Sequence, residues 1–138
     1  MNVYRKISSQ VERLYSQYKK HGKIIIAYDF DDTIYSHNEN NCYDVIRTLR
    51  CCEKVNIGRF ICYTESKEER YPFIKNFCKD MKIPLDKINK GFEDVNHVNC
   101  GKIYYDILLD DKAGLGQALE TLQIVLDRII DKKLFKEE

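Results

Sequence analysis

A run of five apolar residues, Ile24–Tyr28, restricts the folds open to this chain more than any other segment. The run is too short for a helix, it is apolar on both faces, and it ends abruptly at Asp29. Such a run is typical of a strand buried inside a parallel sheet, where neither face of the strand meets water. The sequence therefore predicts an α/β fold that contains a buried parallel strand.

Helical and strand patterns alternate along the rest of the chain. The predicted helices span residues 3–20, 43–55, 66–81 and 113–130, and the further predicted strands span residues 60–63, 87–89 and 103–109. A length of 138 residues suits one domain, and no hairpin signal, repeat or linker interrupts the alternation. We therefore expect a single three-layer domain over residues 1–138, with helices on both faces of a parallel sheet and a charged tail, residues 132–138, that frays.

Composition excludes several classes of protein. The chain is 43% hydrophobic, which is enough for a core, and its net charge of +1 argues against a strongly basic nucleic-acid binder. No apolar run approaches the roughly 20 residues that span a bilayer, and the N-terminal segment lacks the apolar stretch of a signal peptide. The six cysteines form no C-x-x-C pair, which favours reduced thiols. We expect a cytoplasmic protein without a membrane partner.

Acidic and hydroxyl side chains follow each of the three strong strands. Asp29 and Asp31 follow the first, Thr64 the second, and Asp110 and Asp111 the third. Because the carboxyl ends of parallel strands meet at one edge of the sheet, we expect these side chains to converge there. The four carboxylates would repel one another unless a hard cation neutralised them, and oxygen ligands suit Mg²⁺. For Asp111 the alternative role of a helix cap stays open.

Carboxylates beside Mg²⁺ favour phosphoryl chemistry. One carboxylate can attack a phosphoryl group and form an aspartyl-phosphate, and a second can protonate the leaving oxygen and then activate water. A hydroxyl and a lysine can balance the charge of the transferring group. An EF-hand calcium loop starting at Asp29 is excluded, because its sixth position is Ile34 rather than glycine and its twelfth is Asn40 rather than glutamate.

The segment Asp29–Thr33 resembles the D-x-D-x-T first motif of the haloacid dehalogenase-like (HAD) hydrolase superfamily. Thr64 is similar to that family's second motif, Lys102 to its lysine and the pair Asp110–Asp111 to its acidic fourth motif, all in the family's order. The resemblance covers the chain from residue 24 to about residue 119. It implies a HAD-like Rossmannoid fold and a Mg²⁺-dependent phosphatase.

The resemblance also implies a role for each matching residue. Asp29 would be the nucleophile and a Mg²⁺ ligand. Asp31 would be the general acid and base, with its backbone carbonyl on the metal, and because family dehalogenases lack this carboxylate it favours phosphate chemistry. Thr64 would hydrogen-bond the phosphoryl group and Lys102 would neutralise it. The candidates that could replace this lysine on the same stretch of chain are Lys87 and Lys90.

Four further expectations concern the site and its surroundings. Asp110 and Asp111 would complete the metal site, and the sequence does not indicate which of the two binds the metal directly. Thr33 would support the loop after the first strand. Neither residues 34–57 nor residues 65–101 leave room for a cap domain, so the resemblance implies a capless member. Two basic residues early in the third helix, Lys67 and Arg70, are interpreted as solvated charges, with a second anion site as the alternative.

The class of phosphorylated substrate is not indicated by the sequence. A polynucleotide 3′-end, a mononucleotide, a sugar phosphate and a phosphoprotein all stay open, and so does the oligomeric state. Two other functions fit the same residues: a phosphotransferase, and a non-catalytic module that binds metal or phosphate.

Overall fold

Helices and parallel strands alternate along the described chain. The structure is a computed structural model, and it describes residues 3–36, 42–95 and 102–136. The elements are α1 (Val3–His21), β1 (Ile24–Tyr28), α2 (Tyr43–Lys54), β2 (Gly58–Cys62), a 3₁₀ turn (Glu68–Arg70), α3 (Tyr71–Met81), β3 (Lys87–Ile88), β4 (Ile107–Leu109) and α4 (Leu115–Lys136). The predicted α/β class is confirmed.

The described strands form one parallel sheet in the order β3-β2-β1-β4. β1 lies inside the sheet, where Tyr28 is in register with Cys62 of β2 and with Leu109 of β4. All five residues of β1 are buried, as the apolar run predicts. The carboxyl ends of all four strands therefore meet at one edge of the sheet.

The two faces of the sheet are covered differently. Ile24, Ile26 and Tyr28 belong to a core that includes apolar side chains from all four helices. Ile25 and Ala27 face the other way, into a smaller core whose remaining members are Ile61, Phe92, Val95, Ile103, Tyr105 and Leu108. Within residues 3–36, 42–95 and 102–136, the second face is thus covered by the chain between β3 and β4 and not by a helix.

Helices on both faces, as expected from the sequence, are not confirmed, and the reason is topological. The crossovers from β1 to β2 and from β2 to β3 move in the same direction across the sheet, so right-handed connections put α2 and α3 on one face. The described parts of the connection from β3 to β4 contribute Phe92, Val95, Ile103 and Tyr105 to the core on the other face. Residues 96–101 of that connection lie outside the described residues.

Three predicted boundaries are wrong because of particular contacts or backbone conformations. The third strong strand is paired only over Ile107–Leu109, since the Asp106 carboxylate takes the N–H of Ile25 (2.7 Å) just before the ladder begins. The helix predicted from Ser66 begins as a 3₁₀ turn at Glu68, because the Ser66 N–H bonds the Thr64 hydroxyl (3.1 Å) instead of starting a helix.

The third boundary concerns the C-terminal helix. Gly114, at φ +70°, delays its start to Leu115, and the helix continues to Lys136 instead of ending near Ile130. Within the predicted charged tail, the Lys133 ammonium donates to the carbonyl of Val55 (3.0 Å), and residues 137–138 lie outside the described residues.

Two expectations about the environment of the chain can be compared with the structure. Among the described helices, none combines the length and the apolar character that a bilayer crossing requires. The five described cysteines are free thiols, and Cys100 lies outside the described residues. Burial raises the pKa of Cys52 to about 12 and that of Cys78 to about 11, so these thiols stay protonated and act as packing groups.

Candidate functional site

A cavity of about 620 Å³ lies at the carboxyl edge of the sheet. The first residue after each strand lines it: Asp29 after β1, Tyr63 after β2, Asn89 after β3 and Asp110 after β4. The other lining residues are Asp31, Asp32, Thr64, Glu65, Ile103, Asp111 and Lys112. The convergence predicted for the strand ends is therefore present.

Three carboxylates lie close enough to share one cation. One oxygen each of Asp29, Asp110 and Asp111 lies within 4.8 Å of the other two. Opposite ligands of an octahedral Mg²⁺ are about 4.2 Å apart, since each Mg–O bond is about 2.1 Å. The donors are all oxygens, which fits a hard divalent cation, and small side-chain adjustments would bring them onto it.

The pKa of Asp29 is shifted in this cluster. Burial, helped by the charges of Asp110, Asp111 and Asp31, raises its pKa from 3.8 to about 6, although the N–H of Phe30 on Oδ1 (2.9 Å) acts in the opposite direction. The backbone N–H of Asp29 donates to the carbonyl of Leu109 (2.9 Å) and so continues the β1–β4 pairing. Asp29 is thus firmly placed, and its negative charge is poorly compensated by protein groups.

Thr33 joins the loop after β1 to the loop after β4. Its side chain is 1% exposed, and its hydroxyl accepts the N–H of Asp111 (3.1 Å). The turn that brings Thr33 there is tight, because Asp32 adopts φ +63° and the N–H groups of Ile34 and Tyr35 both reach the carbonyl of Phe30. The loop-supporting role expected for Thr33 matches these contacts.

Asp31 lines the same cavity, but its carboxylate is hydrogen-bonded to Arg70 and is not part of the group of three carboxylates. Arg70 donates to both of its oxygens, at 2.6 and 2.9 Å, and also to the Ser66 hydroxyl at 2.9 Å. The guanidinium lies 5.1 Å from the centre of the Phe30 ring. The interpretation of Arg70 as a solvated charge is therefore wrong, because the loop after β1 brings a carboxylate and an aromatic ring to it.

Thr64 is positioned by Asn89, a residue that sequence reasoning missed. The Asn89 side chain accepts the N–H of Thr64 (2.7 Å) and donates to its carbonyl (2.7 Å), so it copies one step of strand pairing beyond the end of β3. The Thr64 hydroxyl bonds the Ser66 side chain (3.0 Å). The available signal was the brief strand predicted to end at residue 89, which places an amide beside the end of β2.

Among the described residues, the cation that lines the cavity is Lys112 and not Lys102. Lys102 is exposed and does not line the cavity, although its neighbour Ile103 does. Lys87 and Lys90 line a separate cavity between α3 and β3. Lys112 directly follows the acidic pair, and its N–H bonds Asp110 Oδ1 (2.9 Å).

Comparisons of this chain with known protein families, with curated proteins and with solved structures find no match. Its function is therefore inferred from the site and from its motifs.

Proposed function

We propose that this protein is a Mg²⁺-dependent phosphomonoester hydrolase that forms an aspartyl-phosphate on Asp29. One observation carries the proposal: carboxylate oxygens of Asp29, Asp110 and Asp111 lie within 4.8 Å of one another. They lie at the carboxyl end of β1, which pairs with β2 on one side and β4 on the other. The resemblance of the Asp29–Thr33 segment to the first HAD motif supports the same chemistry. A capless, three-layer HAD-like Rossmannoid domain is part of the proposal.

Asp29, Asp110 and Asp111 would hold the cation, together with the backbone carbonyl of Asp31. When bound, Mg²⁺ supplies positive charge that offsets both the clustered carboxylates and the oxygens of the phosphoryl group. The pKa of Asp29, which the uncompensated cluster helps to raise, supports the need for such a counter-charge.

Asp29 and Asp31 take part directly in the reaction. An oxygen of Asp29 forms a bond to phosphorus while the ester oxygen leaves and takes a proton from Asp31. Water then gives a proton back to Asp31 and attacks the phosphorus, which releases phosphate and restores the Asp29 carboxylate. Because Arg70 occupies both oxygens of Asp31, one of these hydrogen bonds must open before Asp31 reaches the ester oxygen.

Thr64 and Lys112 are the remaining groups proposed to act on the phosphoryl oxygens. Thr64 lies at the cavity wall with its backbone fixed by Asn89, so its hydroxyl needs only to exchange Ser66 for the substrate. Lys112 takes the charge-balancing role in this proposal, in place of Lys102, because it lines the cavity. A cytoplasmic location also belongs to the proposal, and the free state of the five described cysteines supports it.

The direct test is hydrolysis of para-nitrophenyl phosphate by the full chain. We expect turnover that requires Mg²⁺, and a loss of about 10³-fold or more in Asp29→Asn. Asp127→Asn is the matched control, because Asp127 is exposed on α4, away from the cavity. A folded wild-type protein that binds Mg²⁺ but does not turn over a broad set of phosphoesters would instead be a binding module. Transfer of the phosphoryl group to added alcohols in preference to water would identify a phosphotransferase.

A further inference from the structure

A second concave surface, strongly basic in character, adjoins the candidate site. It is a groove of about 430 Å³ between α3 and β3, and its lining includes Lys75, Lys79, Lys87 and Lys90. We refer to these four residues as the lysine groove. Its acidic lining residue, Asp86, has a carboxylate oxygen on the N–H of Phe60 (2.8 Å).

The four lysines are not balanced by carboxylates. Within the part of the chain that the structure describes, none of them has an ion-pair partner within 4.0 Å. Lysine on an edge strand commonly prevents pairing with another sheet, which accounts for Lys87 on β3. That role does not extend to Lys75 and Lys79, which lie four residues apart on α3, where like charges repel each other. The concentration of positive charge is thus unfavourable for the isolated chain and points to an anionic ligand.

The groove and the catalytic cavity share a wall. Asn89 lines the cavity, whereas its neighbours Ile88 and Lys90 line the groove. The Asn89 amide donates to the hydroxyl of Tyr71 (3.0 Å), and Tyr71 itself lines the groove. A ligand longer than one phosphoryl group that reaches both concave surfaces would cross the chain at Ile88–Lys90.

The two surfaces differ in charge in a way that suits a polyanion held at one end. Among the described residues that line the cavity, six are acidic and one is a lysine, so on its own this lining repels every negative group that a cation does not neutralise. The adjoining groove offers four positive charges against one carboxylate, that of Asp86. A ligand with a terminal phosphate in the cavity and further phosphates in the groove matches both.

We propose that the lysine groove binds the phosphodiester backbone of a single-stranded nucleic acid whose terminal phosphate lies at Asp29. The placement of the terminal group rests on the proposed function. Tyr63 supports a nucleic acid over other polyanions, because it is 44% exposed on the cavity wall and can stack on a base. The concave shape favours a polymer strand over a flat membrane surface.

Binding can be measured without catalysis, by fluorescence anisotropy of a labelled thymidine oligonucleotide of about 12 residues in EDTA. Four lysine–phosphate contacts predict that affinity falls about 50-fold between roughly 50 and 200 mM salt, from a slope of about 0.7 per contact for single strands. We expect the combined variant Lys75→Gln, Lys79→Gln, Lys87→Gln, Lys90→Gln to lose most of this salt dependence and most of the affinity at low salt.

A control variant removes the same charge elsewhere. Substituting glutamine for four exposed lysines outside the groove should leave binding near that of the wild type; these residues are Lys20, Lys23, Lys54 and Lys132. If the fourfold groove variant does not fold, the pair Lys75→Gln, Lys79→Gln on the outer part of α3 should still lose about half of the salt dependence.

Failure of this inference is separable from failure of the proposed function. Oligonucleotide binding that persists in a protein without phosphatase activity supports the groove and refutes the proposed function. Equal binding by the groove variant and the charge control, or no binding by the wild type, overturns the groove. Preference for phosphatidylserine vesicles over the oligonucleotide overturns it as well. Hydrolysis of para-nitrophenyl phosphate should be unchanged in the groove variant, because that substrate does not reach the groove.

Discussion

Asp29 and Asp31 are two residues apart, yet their carboxylates meet different surroundings. Asp29 faces two further carboxylates, whereas both oxygens of Asp31 accept hydrogen bonds from Arg70. The sequence predicted the type and the convergence of these acids from their position after an apolar run. The sequence could not predict that the two carboxylates have different partners, because Arg70 lies 39 positions away and reaches Asp31 only through the packing of α3.

Ionisation of Asp29 should destabilise the metal-free protein. Burial and the neighbouring acids raise its pKa from 3.8 to about 6, so between these pH values the folded chain binds more protons than the unfolded chain. This contribution to stability is therefore lost as the pH rises from about 4 to about 6. In EDTA, the melting temperature of Asp29→Asn should exceed that of the wild type by a margin that grows over this range and then levels off. A margin independent of pH would contradict the shift.

Arg70 should matter for turnover through Asp31. Arg70→Ala removes the two hydrogen bonds that orient the Asp31 carboxylate, so we expect kcat to fall about 10-fold or more. Arg70→Lys keeps the positive charge but not the bidentate geometry, so we expect a smaller fall in kcat. The loss should be larger for phenyl phosphate than for para-nitrophenyl phosphate, since only the poorer leaving group depends strongly on an acid.

A purely structural role for Arg70 would lower both rates equally. Combining Arg70→Ala with Asp31→Asn should add little to the loss caused by Asp31→Asn alone, because the two residues act on the same step.

At the scale of elements, the site depends on contacts between loops that are far apart in sequence. Thr33 of the loop after β1 holds Asp111 of the loop after β4, and Asn89 beyond β3 holds Thr64 beyond β2. The interior of each element was predictable from apolar periodicity. The ends were not, because they are set by such tertiary contacts, as in the bond from Asp106 to Ile25 that precedes β4.

Thr33→Val should test the link between the two loops. The substitution keeps the shape of the buried side chain but leaves the N–H of Asp111 without its acceptor, which should lower the free energy of unfolding by about 1–3 kcal/mol. The affinity for Mg²⁺ should fall too, because Asp111 loses its position. Urea unfolding in EDTA and a Mg²⁺ titration measure the two effects.

Thr121→Val provides the matched control for this substitution. Thr121 is also buried, but its hydroxyl donates to a carbonyl of its own helix (Gln117, 2.8 Å), so no backbone N–H loses a partner and Mg²⁺ affinity should stay unchanged. Equal losses in the two variants would mean that Thr33 is only a core residue.

At the scale of the whole molecule, the described helices pack into one core while the chain between β3 and β4 covers the other face. Alternation along the sequence predicted the parallel sheet. It did not predict the unequal covering, because periodicity identifies elements but not the direction in which successive strands are added. The predicted lysine, Lys102, belongs to the unpaired chain before β4, whereas Lys112, which lines the cavity, belongs to the turn directly after β4.

Bound Mg²⁺ should stabilise the entire domain, because the ligands come from the ends of two different strands. At about 100 times its dissociation constant, Mg²⁺ adds about 2.7 kcal/mol, which corresponds to a rise of about 10 °C in melting temperature for a domain of this size. Asp110→Asn should lose most of this rise, whereas Asp127→Asn should keep it. Equal rises in the two variants would place the ion elsewhere.

The position of β1 between two hydrogen-bonded neighbours has a consequence for how the chemistry of this site can change. Asp29 directly follows this central strand and its N–H bonds the Leu109 carbonyl, while Asp110 and Asp111 lie on a turn that ends at a left-handed glycine, Gly114. Under the proposed function, adaptation to a larger or smaller ion would fall mainly on that turn. Evolution or design could then alter cation selectivity by rebuilding residues 110–114 and leave Asp29 and the central strand unchanged.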